Sequence, residues 1–299
     1  MGAPAENLEA AECLDQIESL AVELANIAGA EIKSALGSIF TVRYKTGATA
    51  SSLWRDPVSE VDHKVEKIIR ARIAEQFPDH GIIGEEMKAQ PSRGSSFIWA
   101  VDPIDGTTNF INGFPMFAAS IGVLHKACPV AGAVWCATSH ALRAGVYHAR
   151  EGGKLRFEGS DVTPKANPAV RSGLAGVPVI KAEDMQWETR KTGSAAIECA
   201  MVAAGLLRVA RFSNPNIWDV AGGLALVKAA RGVVRQKTGD AWQPMDAFEP
   251  AKGPDDATGI RFWRRSIVIG TPDAVEKMCQ AQPKAEARPP AKSASEPAR

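Results

Sequence analysis

The side chains that could do chemistry are concentrated in one stretch, Trp99-Ala-Val-Asp102-Pro103-Ile104-Asp105-Gly106-Thr107-Thr108-Asn109-Phe110. A strand-like apolar run ends at Asp102, and Pro103 restricts Asp102 to extended backbone. Two carboxylates three residues apart at a strand end can turn toward one point, with the Ile104 carbonyl between them. Such oxygens are what a hard cation like Mg²⁺ takes as ligands. Gly106 offers no side chain where a ligand oxygen could approach the backbone. Thr107 and Thr108 add hydroxyls, and a helix starting there would aim free N–H groups at an anion. Asp, Pro and Gly are also the usual turn formers, so taken alone the stretch reads as a plain turn as well.

Further carboxylates shift that balance. Gly84-Glu85-Glu86 follows the short apolar run Ile82-Ile83, which could bring Glu85 beside Asp102 at the same sheet edge. An exposed acidic turn is the simpler reading of Glu85. Trp218-Asp219 opens a helical stretch, where an Asp in the first turn is stabilised by the helix dipole. Ser59-x-x-Asp62 has the form of a capping box, which by itself accounts for Asp62.

The elements that must position these residues follow from periodicity. Leu14, Ile17, Leu20, Leu24, Ile27, Ala28 and Ile32 recur at three- and four-residue steps, giving a long amphipathic helix from about 8 to 36. Tyr44–Arg55 is polar and reads as a turn or flexible hairpin. A second helix is expected over about 60–77, stopped by Pro78-Asp79-His80-Gly81. Strands are expected at Ile82-Ile83, Phe97–Val101, Ala118–Leu124, Val130–Cys136 and Ala144–His148. Gly152-Gly153 and Pro164–Pro168 suggest an internal boundary. Beyond it, helices are expected at Ser194–Ala204 and Trp218–Arg231, with strands at Val177–Ile180, Leu207–Ala210, Gly232–Gln236 and Ser266–Gly270. Helices and strands alternating on both sides of the boundary indicate a layered α/β or α+β fold. The expected units are 8–150, with most candidate ligands, and 151–279, with Asp219. The run from about 280 to 299 has no large apolar residue and is expected to be a disordered tail.

Composition narrows the class. With 299 residues, 45% of them hydrophobic and 23% charged, the chain is neither fibrous nor wholly disordered. Lys and Arg number 35 against 34 Asp and Glu, a net charge of +1, so no charge excess argues for nucleic acid or an anionic membrane. The basic run Arg261-Phe-Trp-Arg-Arg265 reads as a strand with solvated arginines. Five cysteines with no C-x-x-C spacing suggest neither disulfides nor a zinc knuckle. With no signal-like start and no apolar run long enough to span a bilayer, a soluble, cytoplasmic protein is expected.

Gly84-Glu85-Glu86, then Asp102-Pro-Ile-Asp-Gly-Thr-Thr-Asn-Phe110, then Trp218-Asp-Val-Ala-Gly222, resemble the inositol monophosphatase family in order and spacing. Similarity extends over about 8–275 and includes Ser59-Glu-Val-Asp62, Phe77-Pro-Asp-His-Gly81 and Gly193-Ser-Ala-Ala196. The resemblance implies a layered αβαβα sandwich and Mg²⁺-dependent hydrolysis of small phosphate monoesters, with dimerisation. It assigns Glu85, Asp102 and the Ile104 carbonyl to one metal, with the Thr107 hydroxyl nearby, and Asp102, Asp105 and Asp219 to a second. It also implies that metal-activated water attacks phosphorus, with Thr107 and Asp62 relaying the proton and Glu85 orienting the water. The N–H groups of Gly106 and Thr107 would receive phosphate oxygens.

The substrate side is assigned by resemblance to Gly193, Ser194 and Ala195 and to the residue seven before Asp219. The family's inositol phosphatases carry there a Glu that grips sugar hydroxyls; here it is Phe212. A family lysine corresponds only loosely to Lys45, which stands seventeen before Asp62. Thr108-Asn109-Phe110 resembles the inositol phosphatase branch rather than the bisphosphate nucleotidases. Inositol monophosphate or a similar polyol phosphate is the expected substrate. The alternatives are histidinol phosphate, fructose 1,6-bisphosphate, or a role as an interaction protein of the transcription machinery, which some bacterial members resembling this chain bind.

Overall fold

Apolar side chains at helical spacing build the first layer. In the computed structural model, which describes residues 3–38, 42–44, 57–163, 173–250 and 257–280, α1 (Ala3–Ala35) buries Ile17, Leu20, Leu24 and Ile32. Two short strands, β1 (Val42–Tyr44) and β2 (Pro57–Ser59), pair antiparallel, and α2 (Glu60–Gln76) buries Val61, Val65, Ile69 and Ile73. Both helices lie on one face of a seven-stranded sheet. Its strands are β3 (Gly81–Gly84), β4 (Phe97–Asp105), β5 (Ala118–His125), β6 (Cys128–Cys136), β7 (Gly145–Arg150), β8 (Arg156–Phe157) and β9 (Ser160–Asp161), side by side in that order. A short helix, α3 (Thr107–Ile111), follows β4.

The second sheet has six strands, β10 (Leu174–Gly176), β11 (Glu188–Arg190), β12 (Val209–Phe212), β13 (Val233–Thr238), β14 (Ala241–Pro244) and β15 (Ile267–Gly270), in the order β11-β10-β12-β15-β13-β14. Two helices, α4 (Ala195–Ala203) and α5 (Ile217–Ala229), fill the space between the sheets. A one-turn helix, α6 (Ala257–Ile260), precedes β15. Outside the second sheet, α7 (Pro272–Gln280) packs Ala274, Val275 and Met278 on Val209 and Val268. Helices, sheet, helices, sheet and helix succeed one another, the layered α+β sandwich expected from the sequence.

The middle layer sits unusually close to the first sheet. A Cβ on Gly122 would come 2.4 Å from the Gly222 nitrogen, and one on Gly132 would come 2.2 Å from the Gly222 carbonyl oxygen. β5, β6 and α5 therefore meet backbone to backbone, and this contact sets where the start of α5 stands relative to the end of β4.

Several expectations need correction. β4 does not end at Asp102 but runs on to Asp105. The strand expected at Val177–Ile180 stands earlier, at Leu174–Gly176; Pro178 has no N–H to continue a ladder, and Val179 and Ile180 are exposed. Arg261–Arg265 is no strand: α6 ends at Ile260 and β15 begins at Ile267, and Trp263 is buried edge-on against Phe248 at 4.8 Å. β8 and β9 carry the first sheet to Asp161, and one apolar core includes residues from Ile83 to Ile269. Lys45, Pro164–Pro168 and the tail beyond Gln280 lie outside the described residues.

Adding a methyl where two backbones touch forces them apart, at a cost of about 1–3 kcal/mol. Gly122→Ala is expected to lower the unfolding free energy by about that amount in urea denaturation. Unchanged stability would show that α5 is not seated on β5 as described.

Candidate active site

The end of β4 is irregular because of its own sequence. Asp102 pairs with Ser120 of β5 and Asp105 with Ala118, so three steps on β4 face two on β5. This is a bulge at Pro103, which has no ladder N–H to give. Within it, an Asp102 carboxylate oxygen accepts the Ile104 N–H at 3.1 Å. Gly106 then takes φ +88°, where a Cβ would stand 3.1 Å from the Met116 carbonyl oxygen and 3.2 Å from the Ser194 Cβ. That left-handed turn starts α3. The Thr107 hydroxyl donates to the Ile104 carbonyl at 2.9 Å and lies 3.3 Å from an Asp62 carboxylate oxygen.

Three more helices begin at this place, each with an acid at its N-terminus. Asp62 accepts the Ser59 N–H at 2.8 Å and the Ser59 hydroxyl at 2.5 Å, capping α2. Asp105 accepts the Ala196 N–H at 2.5 Å and the Ser194 hydroxyl at 2.6 Å, capping α4. Asp219 accepts the Asn216 N–H at 2.8 Å at the head of α5. Each acid thus has a local structural reason. Their concentration does not follow from capping alone.

The carboxyls feel one another strongly. Asp102 is 2% exposed, and its pKa is pushed well up by burial first, then by Glu85, Asp105 and Asp219. Burial raises Asp105 to about 7, against the pull of its Ser194 and Ala196 hydrogen bonds, with Glu85 and Glu198 adding to the rise. Asp219 reaches about 8 through burial and then Asp105. Asp62 is also raised, chiefly by burial, with Glu85 contributing. None of the principal influences on these groups is a cationic side chain.

A divalent cation fits this donor set, which offers hard oxygens and concentrated negative charge. The carboxylates are not arranged as a finished cage: among the described residues no group of three or more His, Cys, Asp or Glu stands ready to hold a metal. Their oxygens rest instead on N–H and O–H donors of the chain. A cation would exchange with those donors and with the protons that the raised pKa values imply.

Beside Ser194 opens a cavity of about 190 Å³ lined by Val177, Pro178, Ala195, Phe212 and Pro215, with Gly193, Lys191, Ser213 and Glu198. Phe212 is 6% exposed and forms one wall. The Asn109 amide reaches from α3 to the Thr192 carbonyl at 2.8 Å, tying the β4 end to the cavity rim. Glu198 is raised to about 7 by burial while accepting the Thr192 hydroxyl at 2.7 Å.

Electrostatics thus couples Glu85, Asp102, Asp105 and Asp219, and puts Asp62 under the influence of Glu85, while hydrogen bonds place Thr107 and Ser194 at the same point. Gly106 touches the Gly193-Ser194 turn, and Ala195 and Phe212 line the adjoining cavity. Sequence reasoning missed Glu66, which is fully buried, pairs with Arg70 at 2.8 Å and accepts the Glu86 and Met87 N–H groups at 2.7 and 3.2 Å. Its signal was available: it lies four residues after Asp62, on the same stripe of α2.

Comparison with known proteins gives the family. The inositol monophosphatase family pattern matches residues 13–258. A probable inositol 1-monophosphatase of Mycobacterium tuberculosis is 31% identical over 257 residues, covering 80% of this chain and 92% of that protein. A fructose-1,6-bisphosphatase/inositol-1-monophosphatase of Aquifex aeolicus is 34% identical, covering 60% and 72%. The solved inositol monophosphatase of Anabaena (Nostoc) superposes with a TM-score of 0.67 at 22% identity, covering 90% of this chain and 95% of that one.

The raised acids give a pH dependence of definite sign. Asp105, Asp219 and Glu198 hold protons in the folded chain that the unfolded chain has released, so stability falls as pH rises toward about 8. His80, lowered to about 4 by burial, acts oppositely but only below about pH 6.5. The metal-stripped protein is therefore expected to lose several degrees of melting temperature between pH 6.5 and 8. Asp219→Asn should flatten the trend, and a melting temperature rising over this window would contradict the assignment.

Proposed function

The chain belongs to the inositol monophosphatase family and hydrolyses phosphate monoesters; from that premise we propose that it acts with Mg²⁺ on inositol monophosphate or a similar small polyol phosphate. The observation that carries the metal is the convergence of Asp102 and Asp105, at the β4 bulge, with Asp219, at the head of α5, where burial and neighbouring carboxylates raise all three. Glu85, Asp102, Asp105, Asp219 and the Ile104 carbonyl are the residues that would hold it. When bound, the metal supplies positive charge that neutralises the phosphate, activates water and stabilises the leaving oxygen.

The remaining work falls to the chain's own groups. The Thr107 hydroxyl stands between Asp62 and the Ile104 carbonyl, placed to take a proton from the attacking water with Asp62 behind it. Glu85, at the edge of the acidic space, orients that water. The start of α3 at Gly106 and Thr107 presents N–H groups to the phosphate. Ser194 and Ala196, by holding Asp105, keep its carboxylate facing the cluster.

The leaving alcohol occupies the cavity beside Ser194. Its wall at Phe212 cannot accept hydrogen bonds from sugar hydroxyls, so the alcohol is held by apolar contact with Phe212, Pro178 and Pro215 more than by a carboxylate grip. Affinity for myo-inositol 1-phosphate is correspondingly modest, and esters with an apolar face on the alcohol compete with it.

Purified protein with Mg²⁺, assayed for phosphate release against inositol 1-phosphate, glycerol 2-phosphate, histidinol phosphate and fructose 1,6-bisphosphate, tests the reading; no release from any of them contradicts it. Asp102→Asn is expected to cost at least about a hundredfold in kcat/KM, the upper end of what losing even a residue that supports a metal ligand costs. Phe212→Glu should raise kcat/KM for inositol 1-phosphate by about tenfold, mostly through KM. An unchanged preference in Phe212→Glu would remove that residue from the substrate side.

A further inference from the structure

The loop that carries Glu85 is held from two sides by groups of opposite charge. From α2, the Glu66 carboxylate accepts the N–H groups of Glu86 and Met87. From the segment after α6, the Arg261 guanidinium donates through one arm to the Gly84 carbonyl and through the other to the Glu85 carbonyl at 3.3 Å. Gly84 itself has no room for a side chain, because a Cβ there would fall 2.0 Å from a Glu66 carboxylate oxygen. The loop is thus gripped by its amides from below and by its carbonyls from above.

The same guanidinium lies over the Trp218 ring, its Cζ 4.8 Å from the centroid. Trp218 directly precedes Asp219. One side chain therefore touches both segments that bring carboxylates from opposite ends of the acidic cluster, the Gly84-Glu85 loop and the head of α5. Arg264 also stacks on Trp218, at 5.3 Å, but among the described residues its hydrogen bonds go to the Arg261 and Trp263 carbonyls. Buried Trp263 anchors the segment that presents both arginines.

We infer that Arg261 is a positioning residue that fixes Glu85 and Asp219 relative to each other and so sets the affinity of the cluster for its divalent cation. The inference rests on the reading of Glu85 and Asp219 as metal ligands. Its geometry depends on a planar fork spanning two carbonyls while stacking on a ring, which Lys cannot reproduce. A positive charge near a cation site would by itself weaken cation binding. Positioning and plain charge therefore predict opposite signs, which makes the test decisive.

The measurement is Mg²⁺ binding to the metal-stripped full chain by titration calorimetry, with the urea midpoint and circular dichroism of each variant as folding controls. Arg261→Met and Arg261→Lys are each expected to weaken Mg²⁺ binding by about 10–100-fold, the usual effect of removing a group that orients metal ligands. Arg264→Gln, which removes a neighbouring charge but no contact to the loop, should leave affinity unchanged or slightly tighter. Unchanged or tighter binding in Arg261→Met overturns the inference, as does a lowered urea midpoint with unaltered Mg²⁺ affinity. If Arg261→Met does not fold, Arg261→Lys decides by the same criterion. Absence of Mg²⁺ binding in the unsubstituted chain would overturn the metal reading and the inference together, whereas normal binding there with unaltered binding in both Arg261 variants overturns the inference alone.

Discussion

Asp102, Asp105 and Asp219 are gathered beside Glu85 at the end of β4 and the head of α5, where loss of water and neighbouring carboxylates raise all three. A protein gains nothing in stability from that crowding. What keeps it is the architecture around it: the bulge at Pro103 aims the end of β4, and α2, α4 and α5 all begin at the cluster with a carboxylate accepting hydrogen bonds at the helix start. Helix N-termini supply partial positive charge, enough to give each carboxylate a hydrogen-bonded resting place but not to neutralise the group. The remaining excess charge is the property that suits the site to a cation.

Convergence of this kind needs two layers of the sandwich fixed to each other within a fraction of an ångström. The glycine contacts Gly122–Gly222 and Gly132–Gly222 do this for α5 against the first sheet. Asn109 ties α3 to the Thr192 carbonyl, joining the β4 end to the substrate cavity. Glu66 and Arg261 hold the Glu85 loop from its two sides. Removing a side chain is as important here as placing one, since Gly84 and Gly222 stand where a Cβ would collide and Gly106 takes a left-handed turn.

Much of this could be read from the sequence because the signals are local. Helical spacing gave α1 and α2, and Pro103, Gly106 and the paired Asp102 and Asp105 marked the site within nine residues. The failures share a physical cause, which is partners far apart in the chain. Arg261-Phe-Trp-Arg-Arg265 looks like an alternating solvated strand, yet Arg261 and Arg264 stack on Trp218, forty-three residues before Arg261, and Arg261 binds carbonyls near residue 84. Glu66 looks like an ordinary surface acid of a helix, and only the loop folded over it reveals a buried acceptor. The strand at Leu174–Gly176 was displaced because Val177–Ile180 is apolar but Pro178 cannot continue a ladder. Phe212 entered through the family resemblance, whereas the cavity it walls was not visible in the sequence.

Crystals grown or soaked with Mn²⁺ in place of Mg²⁺, measured at the manganese absorption edge, test the convergence itself. The account predicts anomalous density bounded by the carboxylates of Glu85, Asp102, Asp105 and Asp219. Manganese absent from that space, or bound only elsewhere on the chain, would contradict it.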